Sequence, residues 1–115
     1  MTNFVLNPDF KSKTIDELFS HFLEFCEKKE QYKTISGNKT HCVLEVSSDF
    51  ILIKRLDAEN KPKLTFDEIR KVLSYFKEGL VLTMQSDVYV SSLTSVVHKT
   101  PLMSLLKASD VIMEC

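Results

Sequence analysis

The chain is poor in glycine and proline, with two glycines and three prolines among 115 residues. Gly37 and Gly79 lie far apart, so they cannot form the glycine-rich phosphate loops of nucleotide-binding proteins. The composition is 43% hydrophobic and the formal net charge is −1, which excludes the usual profile of a disordered chain. We therefore expect a single globular domain over residues 1–115, with residues 1–13 as a lead-in segment.

Cysteine is also scarce. Cys26, Cys42 and Cys115 show neither a paired disulfide spacing nor a zinc-binding CxxC pattern. The sequence thus predicts free thiols, as in a reducing cytosol, and no metal or cofactor. The first residues lack a charged, apolar leader, and no apolar run reaches the roughly 18 residues that a membrane span needs. We expect a cytoplasmic protein that does not interact with membranes.

Two segments carry a complete helix start signal. Thr14 is followed by Glu17, and Thr65 is followed by Glu68, which is the spacing of a capping box. Apolar residues then recur at helical spacing in both segments. The sequence predicts one helix that begins at residue 14 and another over residues 65–79.

The end of the second helix is equally well marked. Gly79 can adopt the left-handed conformation that ends many helices, and Leu80 can fold back toward Tyr75. A third helix is expected over residues 100–108, because Thr100 is followed by a proline at the first helical position.

Alternating apolar and polar residues predict five short strands, at residues 31–35, 41–46, 50–56, 80–84 and 88–90. Residues 50–56 are apolar on both faces, which predicts a central strand covered on both sides. Residues 4–6 form an edge strand or lie on the core, and residues 111–113 form a strand or a docked tail.

The predicted element order is α-β-β-β-α-β-β-α. Turn residues separate most of the strands, so the sheet is expected to be small and mainly antiparallel, with about three helices. This is the α+β class.

The sequence offers no catalytic motif. His21, His41 and His98 are far apart, and none has a nucleophile or an orienting acid nearby in sequence. The chain has no G-x-S-x-G elbow, and Leu52 stands where the acid of a nuclease acid-x-lysine triplet would be. We predict no catalytic residues and a protein that is not an enzyme.

Positive charge is concentrated in the middle of the chain. Residues 32–63 hold six basic and four acidic residues, whereas each flanking segment is net negative. Polar side chains suited to phosphate and base contacts lie between the basic ones. The segment predicts a nucleic-acid site, which Arg70 would extend, formed by Tyr32, Lys33, Ser36, Asn38, Lys39, Lys54, Arg55 and Arg70.

The order of elements over residues 32–80 resembles small DNA-recognition modules appended to restriction-type endonucleases. The shared pattern is the turn from Tyr32 through Gly37 with its aromatic-x-T-hydrophobic-x-G residues, two strands, a polar loop, and a helix that begins with Thr65 and Glu68. The resemblance implies a DNA-reading role, with catalysis supplied by another protein. Such a chain could serve as a subunit, a phage-encoded regulator or an inhibitor of a defence system.

Two alternatives to a nucleic-acid site remain open. Lysines at strand ends also protect sheet edges from aggregation, so the basic segment could be a solvated rim of the sheet. The chain could instead be a protein-interaction or inhibitor module that uses the surface of the first helix or of the hairpins. An oligomeric state does not follow from the sequence.

Overall fold

The computed structural model describes residues 2–55 and 59–115, and the bounds below refer to this part of the chain. The strands are β1 (Phe4–Leu6), β2 (Gln31–Lys33), β3 (Thr40–Val46), β4 (Phe50–Arg55), β5 (Lys63–Thr65) and β6 (Ile112–Glu114). The helices are α1 (Ile15–Glu27), α2 (Phe66–Lys77), α3 (Asp87–Ser92) and α4 (Lys99–Ala108), with single 3₁₀ turns at Pro8–Phe10 and Val96–His98. The predicted α+β class is confirmed, although there are four helices where about three were expected.

The strands form two antiparallel sheets. Four are hydrogen-bonded in the order β2-β3-β4-β5, and β1 pairs with β6. On its other side, β1 is bridged to Leu82: the Phe4 N–H donates to the Leu82 carbonyl at 2.8 Å, and the Leu82 N–H donates to the Phe4 carbonyl at 3.0 Å. Both ends of the chain therefore meet in the smaller sheet.

Both predicted capping boxes are confirmed. Thr14 caps α1, where its hydroxyl accepts from the Glu17 N–H at 3.2 Å and its own N–H donates to the Glu17 carboxylate at 2.9 Å. Thr65 caps α2 through the same pair of bonds to Glu68, at 3.2 and 2.8 Å. In each helix the pattern satisfies backbone donors that the first turn leaves without helical partners.

The predicted end of α2 is confirmed as well. Gly79 has φ +95°, the left-handed region that a residue without Cβ adopts without strain. The Leu80 N–H donates to the Tyr75 carbonyl at 3.2 Å, and the Gly79 N–H donates to the Phe76 carbonyl at 3.0 Å. These two bonds define a Schellman motif.

The core lies on one face of the four-stranded sheet, here called the inner face. Val43, Ile51, Ile53 and Leu64 point toward it, each at most 2% exposed. They belong to one hydrophobic cluster with buried side chains of α1, α2 and α4, including Leu18, Phe22, Ile69, Leu73, Leu102 and Leu105. The helices thus cover the inner face of the sheet.

β4 departs from the prediction of a strand covered on both sides. Ile51 and Ile53 are buried on the inner face, but Phe50 and Leu52 alternate with them and are only half-buried. Two of the four apolar side chains therefore lie on a partly open surface. The strand's predicted last residue, Leu56, lies outside the described residues, as do Asp57 and Ala58 of the predicted polar loop.

The two strands predicted over residues 80–90 are wrong. In the first, the β contact is confined to Leu82, and hydrogen bonds between Thr83 and Ser86 then form a turn. The second is helix α3, in which Tyr89 is fully buried and donates its hydroxyl proton to the Lys99 carbonyl. Anchoring of this single aromatic residue outweighs the strand preference of the valines beside it.

The two open assignments at the chain ends are resolved. Residues 4–6 form the strand β1, and the last apolar segment forms β6, one residue later than expected. The third predicted helix is α4, which begins at Lys99 rather than at residue 100 and has His98 at its cap position. No helix in the described ranges is long and apolar enough to cross a membrane.

Candidate nucleic-acid interface

The second face of the four-stranded sheet, here called the outer face, is formed by the residues that alternate with the core residues. The register places Gln31 opposite Cys42, Cys42 opposite Lys54, and Leu52 opposite Lys63. Because neighbours directly opposite each other project from the same face, these side chains share one surface. Their exposure ranges from half-buried to exposed, in contrast to the closed inner face.

Three exposed lysines form a diagonal line across the outer face, and we call them the lysine stripe: Lys33 on β2, Lys54 on β4 and Lys63 on β5. From strand spacing and register, their Cα atoms are roughly 12 Å and roughly 8 Å apart along the line. Glu45, which is opposite Leu52, is an acidic residue on the same face. The strand residues of the outer face therefore carry more positive than negative charge.

Phe50 lies at the end of the lysine stripe. The Lys63 ammonium is 4.3 Å from the centroid of the Phe50 ring, a cation–π distance. A lysine that covers the ring shows that the ring face can be reached from the outer side. Beside it is a recess of about 340 Å³, lined by Ser48, Asp49, Thr65, Phe66 and Asp67.

The hairpin turn between β2 and β3 holds three of the predicted site residues, all exposed. Ser36, Asn38 and Lys39 follow one another around Gly37, whose φ of +76° makes the turn. The Ser36 hydroxyl accepts from the Asn38 N–H at 3.4 Å and contacts Thr34 at 3.2 Å. The structure brings this turn next to Lys33, so four of the predicted residues remain together on the surface.

Tyr32 does not reach that surface. It is 5% exposed on the inner face, its ring contacts His41 edge-on at 5.7 Å between centroids, and its hydroxyl donates to the Pro101 carbonyl at 3.5 Å. Burial raises the pKa of the phenol. The predicted place of Tyr32 in the surface site is therefore wrong, because the alternation of β2 turns the aromatic side chain inward and the neighbouring lysine outward.

Arg55 and Arg70 are also separated from the lysine stripe. Arg55 is opposite His41 in register, hence on the inner side, and its guanidinium donates to Asn60 at 3.4 Å. Arg70 lies on α2, on the other side of the sheet, where it binds Asp16 at 2.7 Å and stacks over Phe19 at 4.4 Å. The expected extension of the site through Arg70 is wrong, because α2 covers the inner face.

Phe50 and Lys63 are outer-face residues that the sequence prediction of the site does not include. The alternation of β4 is the sequence feature that places Phe50 on the outer face, because residues 51 and 53 cannot share a face with residues 50 and 52. Lys63 is predicted in a polar loop, whereas it is the first residue of β5 and is opposite Leu52. A three-residue strand is too short for its alternation to be recognised in the sequence.

On the helical side, Glu68 joins the start of α2 to the segment before α4. Its Oε2 accepts from the Thr65 N–H and hydroxyl, at 2.8 and 3.0 Å, and from the Thr94 hydroxyl at 3.2 Å. Its Oε1 accepts from the Thr94 N–H at 3.1 Å and from His98 Nδ1 at 2.8 Å. Glu68 is 1% exposed and His98 is 6% exposed, so this is a buried polar network.

The network controls the ionisation of Glu68. Burial raises the pKa of the carboxyl, but hydrogen bonds from His98, Thr65 and Thr94 outweigh burial and hold the pKa below its usual value. The charged form is thereby favoured although the side chain is almost inaccessible to water. The bonds all run to caps and turns of the fold, so the arrangement fastens α2 to the segment that leads into α4.

The other two histidines lie in different parts of the fold. His21 Nε2 is 2.8 Å from the Ser109 carbonyl, and its ring contacts Phe10 edge-on at 4.7 Å. His41 is 1% exposed on the inner face of β3. Among the described residues, no group of three or more histidine, cysteine or acidic side chains could hold a metal ion.

The three cysteines have three different environments. Cys26 is buried in the core, and burial raises the pKa of its thiol to about 12. Cys42 is half-buried on the outer face, and Cys115 is exposed. All three are free thiols, and the buried one is held in its neutral form.

Large apolar side chains are exposed away from the lysine stripe. Leu80 is 38% and Val81 is 53% exposed, next to a groove of about 430 Å³ lined by Val5, Leu6, Pro8, Lys11, Phe76, Lys77, Glu78 and Gly79. Val96 is 68% exposed in the 3₁₀ turn before α4. None of these side chains belongs to the first helix or to the β2–β3 hairpin.

Comparisons of the chain with protein-family models, with curated proteins and with solved structures each returned no match. The resemblance to DNA-recognition modules thus stays a prediction.

Proposed function

We propose that the protein is a non-catalytic nucleic-acid-binding module that uses the outer face of its four-stranded sheet. The observation that carries this proposal is the lysine stripe: Lys33, Lys54 and Lys63 come from three different strands and converge on one surface. Exposed lysines on one surface can each contact a phosphate of a nucleic-acid backbone. Lys39, Ser36 and Asn38 extend the surface at the hairpin turn.

The near-zero net charge is consistent with this function because a binding surface can be local. The exposed face of α1 is acidic, with Asp16, Glu17, Glu24 and Glu27. The outer-face strands carry three exposed lysines and one exposed glutamate, a local excess of positive charge that the overall charge of −1 does not reveal.

The test is a titration of fluorescently labelled oligonucleotides, single-stranded and duplex, followed by anisotropy at 50 and 200 mM salt. Three phosphate contacts on a single strand predict that affinity falls roughly 20-fold between these salt concentrations. The variant Lys33→Gln/Lys54→Gln/Lys63→Gln should lose most of the binding and most of its salt dependence.

A matched control keeps the same net charge. The variant Lys11→Gln/Lys28→Gln/Lys71→Gln removes three exposed lysines from the segment before α1, the end of α1 and the surface of α2. We expect it to bind as the wild type does. Absence of binding at 50 mM salt to either form of nucleic acid, or equal losses in both variants, would contradict the proposal.

A protein-interaction module is the second candidate, and one observation favours it. The groove between β1 and the end of α2 is lined in part by apolar side chains, and the exposed Leu80 and Val81 follow its last lining residue, Gly79. The simplest partner is a second copy of the chain, which would bury these side chains. Sedimentation over a range of concentrations tests this: Val81→Asp should abolish self-association if the groove is the interface, and a wild type that stays monomeric counts against it.

A further inference from the structure

We propose that the nucleic acid bound by the outer face is single-stranded, and that Phe50 stacks on one of its bases. This inference rests on the function proposed above and specifies its ligand. It comes from the combination of an open sheet surface, an aromatic ring on that surface and lysines that lead up to the ring.

The outer face does not present α1, α2 or α4 to the major groove of a duplex. Proteins that read duplex DNA place a helix or a two-stranded ribbon into a major groove about 12 Å wide. Here α1, α2 and α4 contribute their buried side chains to the core on the inner side of the sheet. The lysine stripe instead crosses the middle of a four-stranded surface roughly 14 Å wide, onto which a flexible strand can be laid.

The position of Phe50 supplies what a single strand needs beyond charge. Unpaired bases bind by stacking on aromatic rings, while lysines near the ring contact the backbone phosphates. The face of Phe50 is covered by the Lys63 ammonium at 4.3 Å, so a flat π-system can reach the same position. On binding, a base replaces the ammonium over the ring and Lys63 moves to the adjacent phosphate.

The surroundings of the ring fit this arrangement. Leu52 is two residues along β4 on the same face and gives an apolar floor beside the ring. The recess lined by Ser48, Asp49 and Thr65 leaves space of about 340 Å³ for the edge of a base. Asp49 and Asp67 on this recess repel phosphate, which keeps the backbone on the lysine side of Phe50.

The decisive experiment uses three labelled 15-nucleotide probes at 50 mM salt with the wild-type protein. The first is a single strand of mixed sequence without self-complementarity, the second is its duplex, and the third is a strand of equal charge made of abasic sites. We expect the single strand to bind at least tenfold more tightly than either of the others. Equal or tighter binding of the duplex or of the abasic strand overturns the inference while the proposed function stands.

Variants at the ring give an independent check. Phe50→Leu should weaken single-strand binding about tenfold, because base–aromatic stacking is lost while apolar packing is kept. Phe50→Tyr keeps the ring and should bind the single strand as the wild type does. A loss seen in Phe50→Leu alone can then be attributed to stacking and not to misfolding. Single-strand affinity that is unchanged in Phe50→Leu overturns the role of the ring.

The chain contains a matched control for this substitution. Phe25 on α1 is also half-buried and also has a lysine near its ring, with Lys28 at 6.0 Å from the centroid. Phe25→Leu should leave single-strand affinity unchanged. A loss equal to that of Phe50→Leu would mean that the effect is a general result of removing a surface ring and would overturn the inference. A different result is that the wild type binds none of the probes. That result would contradict the proposed function itself.

Discussion

The two faces of the four-stranded sheet are made of alternate residues of the same strands, yet they differ in kind. Inward side chains such as Ile51, Ile53 and Leu64 are fully buried under the helices. Outward ones such as Phe50, Lys54 and Lys63 are partly or fully open to solvent. Under the proposed function, folding and ligand binding use opposite faces of one sheet, so we expect substitutions on each face to affect only one of these properties.

The largest effect is expected on the helical side, at Glu68. Glu68→Ala removes the acceptor of His98 and of two threonines in a buried network, and should lower the free energy of unfolding by about 3 kcal/mol or more. Glu17→Ala is the matched substitution in an exposed capping box and should cost much less. Urea denaturation of both variants checks this, and equal losses would break the distinction between the two boxes.

A pH titration sharpens the same contrast. The folded-state pKa of Glu68 lies below its unfolded value, so its contribution to stability is present above the unfolded pKa, about 4.3, and is lost as pH falls through the folded pKa. Wild-type stability should therefore fall more steeply than that of Glu68→Gln as pH falls below about 4.3. Parallel curves in denaturation experiments would show that the network does not favour the ionised carboxylate.

A smaller effect is expected at the two cap threonines. Thr14→Ala removes one N-cap bond to an exposed helix start and should cost about 1 kcal/mol. Thr65→Ala should cost more, because its hydroxyl also donates to the buried Glu68 carboxylate at 3.0 Å. Thermal unfolding of the pair measures the difference, and a Thr14 variant that is the less stable of the two would reverse the ranking.

The smallest effect on stability is expected on the outer face. The variant Lys33→Gln/Lys54→Gln/Lys63→Gln changes solvent-exposed side chains and should alter the free energy of unfolding by no more than about 0.5 kcal/mol per site. A loss of nucleic-acid binding by this variant would then result from the missing lysines and not from a less stable fold. Unfolding of this variant at much lower urea concentration would show that the outer face also supports the fold.

The two capping boxes show which part of the structure can be predicted from the sequence. Threonine and glutamate at this spacing predict the start of a helix, and both starts are confirmed, because the capping bonds are local. The same residue pattern does not show that Glu17 is exposed whereas Glu68 is buried against His98. That partner is thirty residues further along the chain, and only the packing of α2 against the segment before α4 brings it within 2.8 Å.

The candidate site is predicted in part for a similar reason. Lys33, Lys39 and Lys54 follow from composition, which needs no knowledge of the fold. Which face a residue occupies depends on strand bounds and register, so the sequence prediction places Tyr32 on the surface and Phe50 in the core. The strands predicted over residues 80–90 are wrong because α3 is fixed by burial of Tyr89, a tertiary contact that outweighs local preference.

The most direct test of the central claim is an NMR titration of ¹⁵N-labelled protein with a single-stranded oligonucleotide at low salt. We predict that the largest amide shift changes occur on the outer-face strands and the hairpin turn, at Lys33, Lys39, Leu52, Lys54 and Lys63, with α1 and α4 little affected. Shift changes concentrated on α1, on α4 or around the groove beside Leu80, or no changes at all, would contradict the assignment of binding to the outer face.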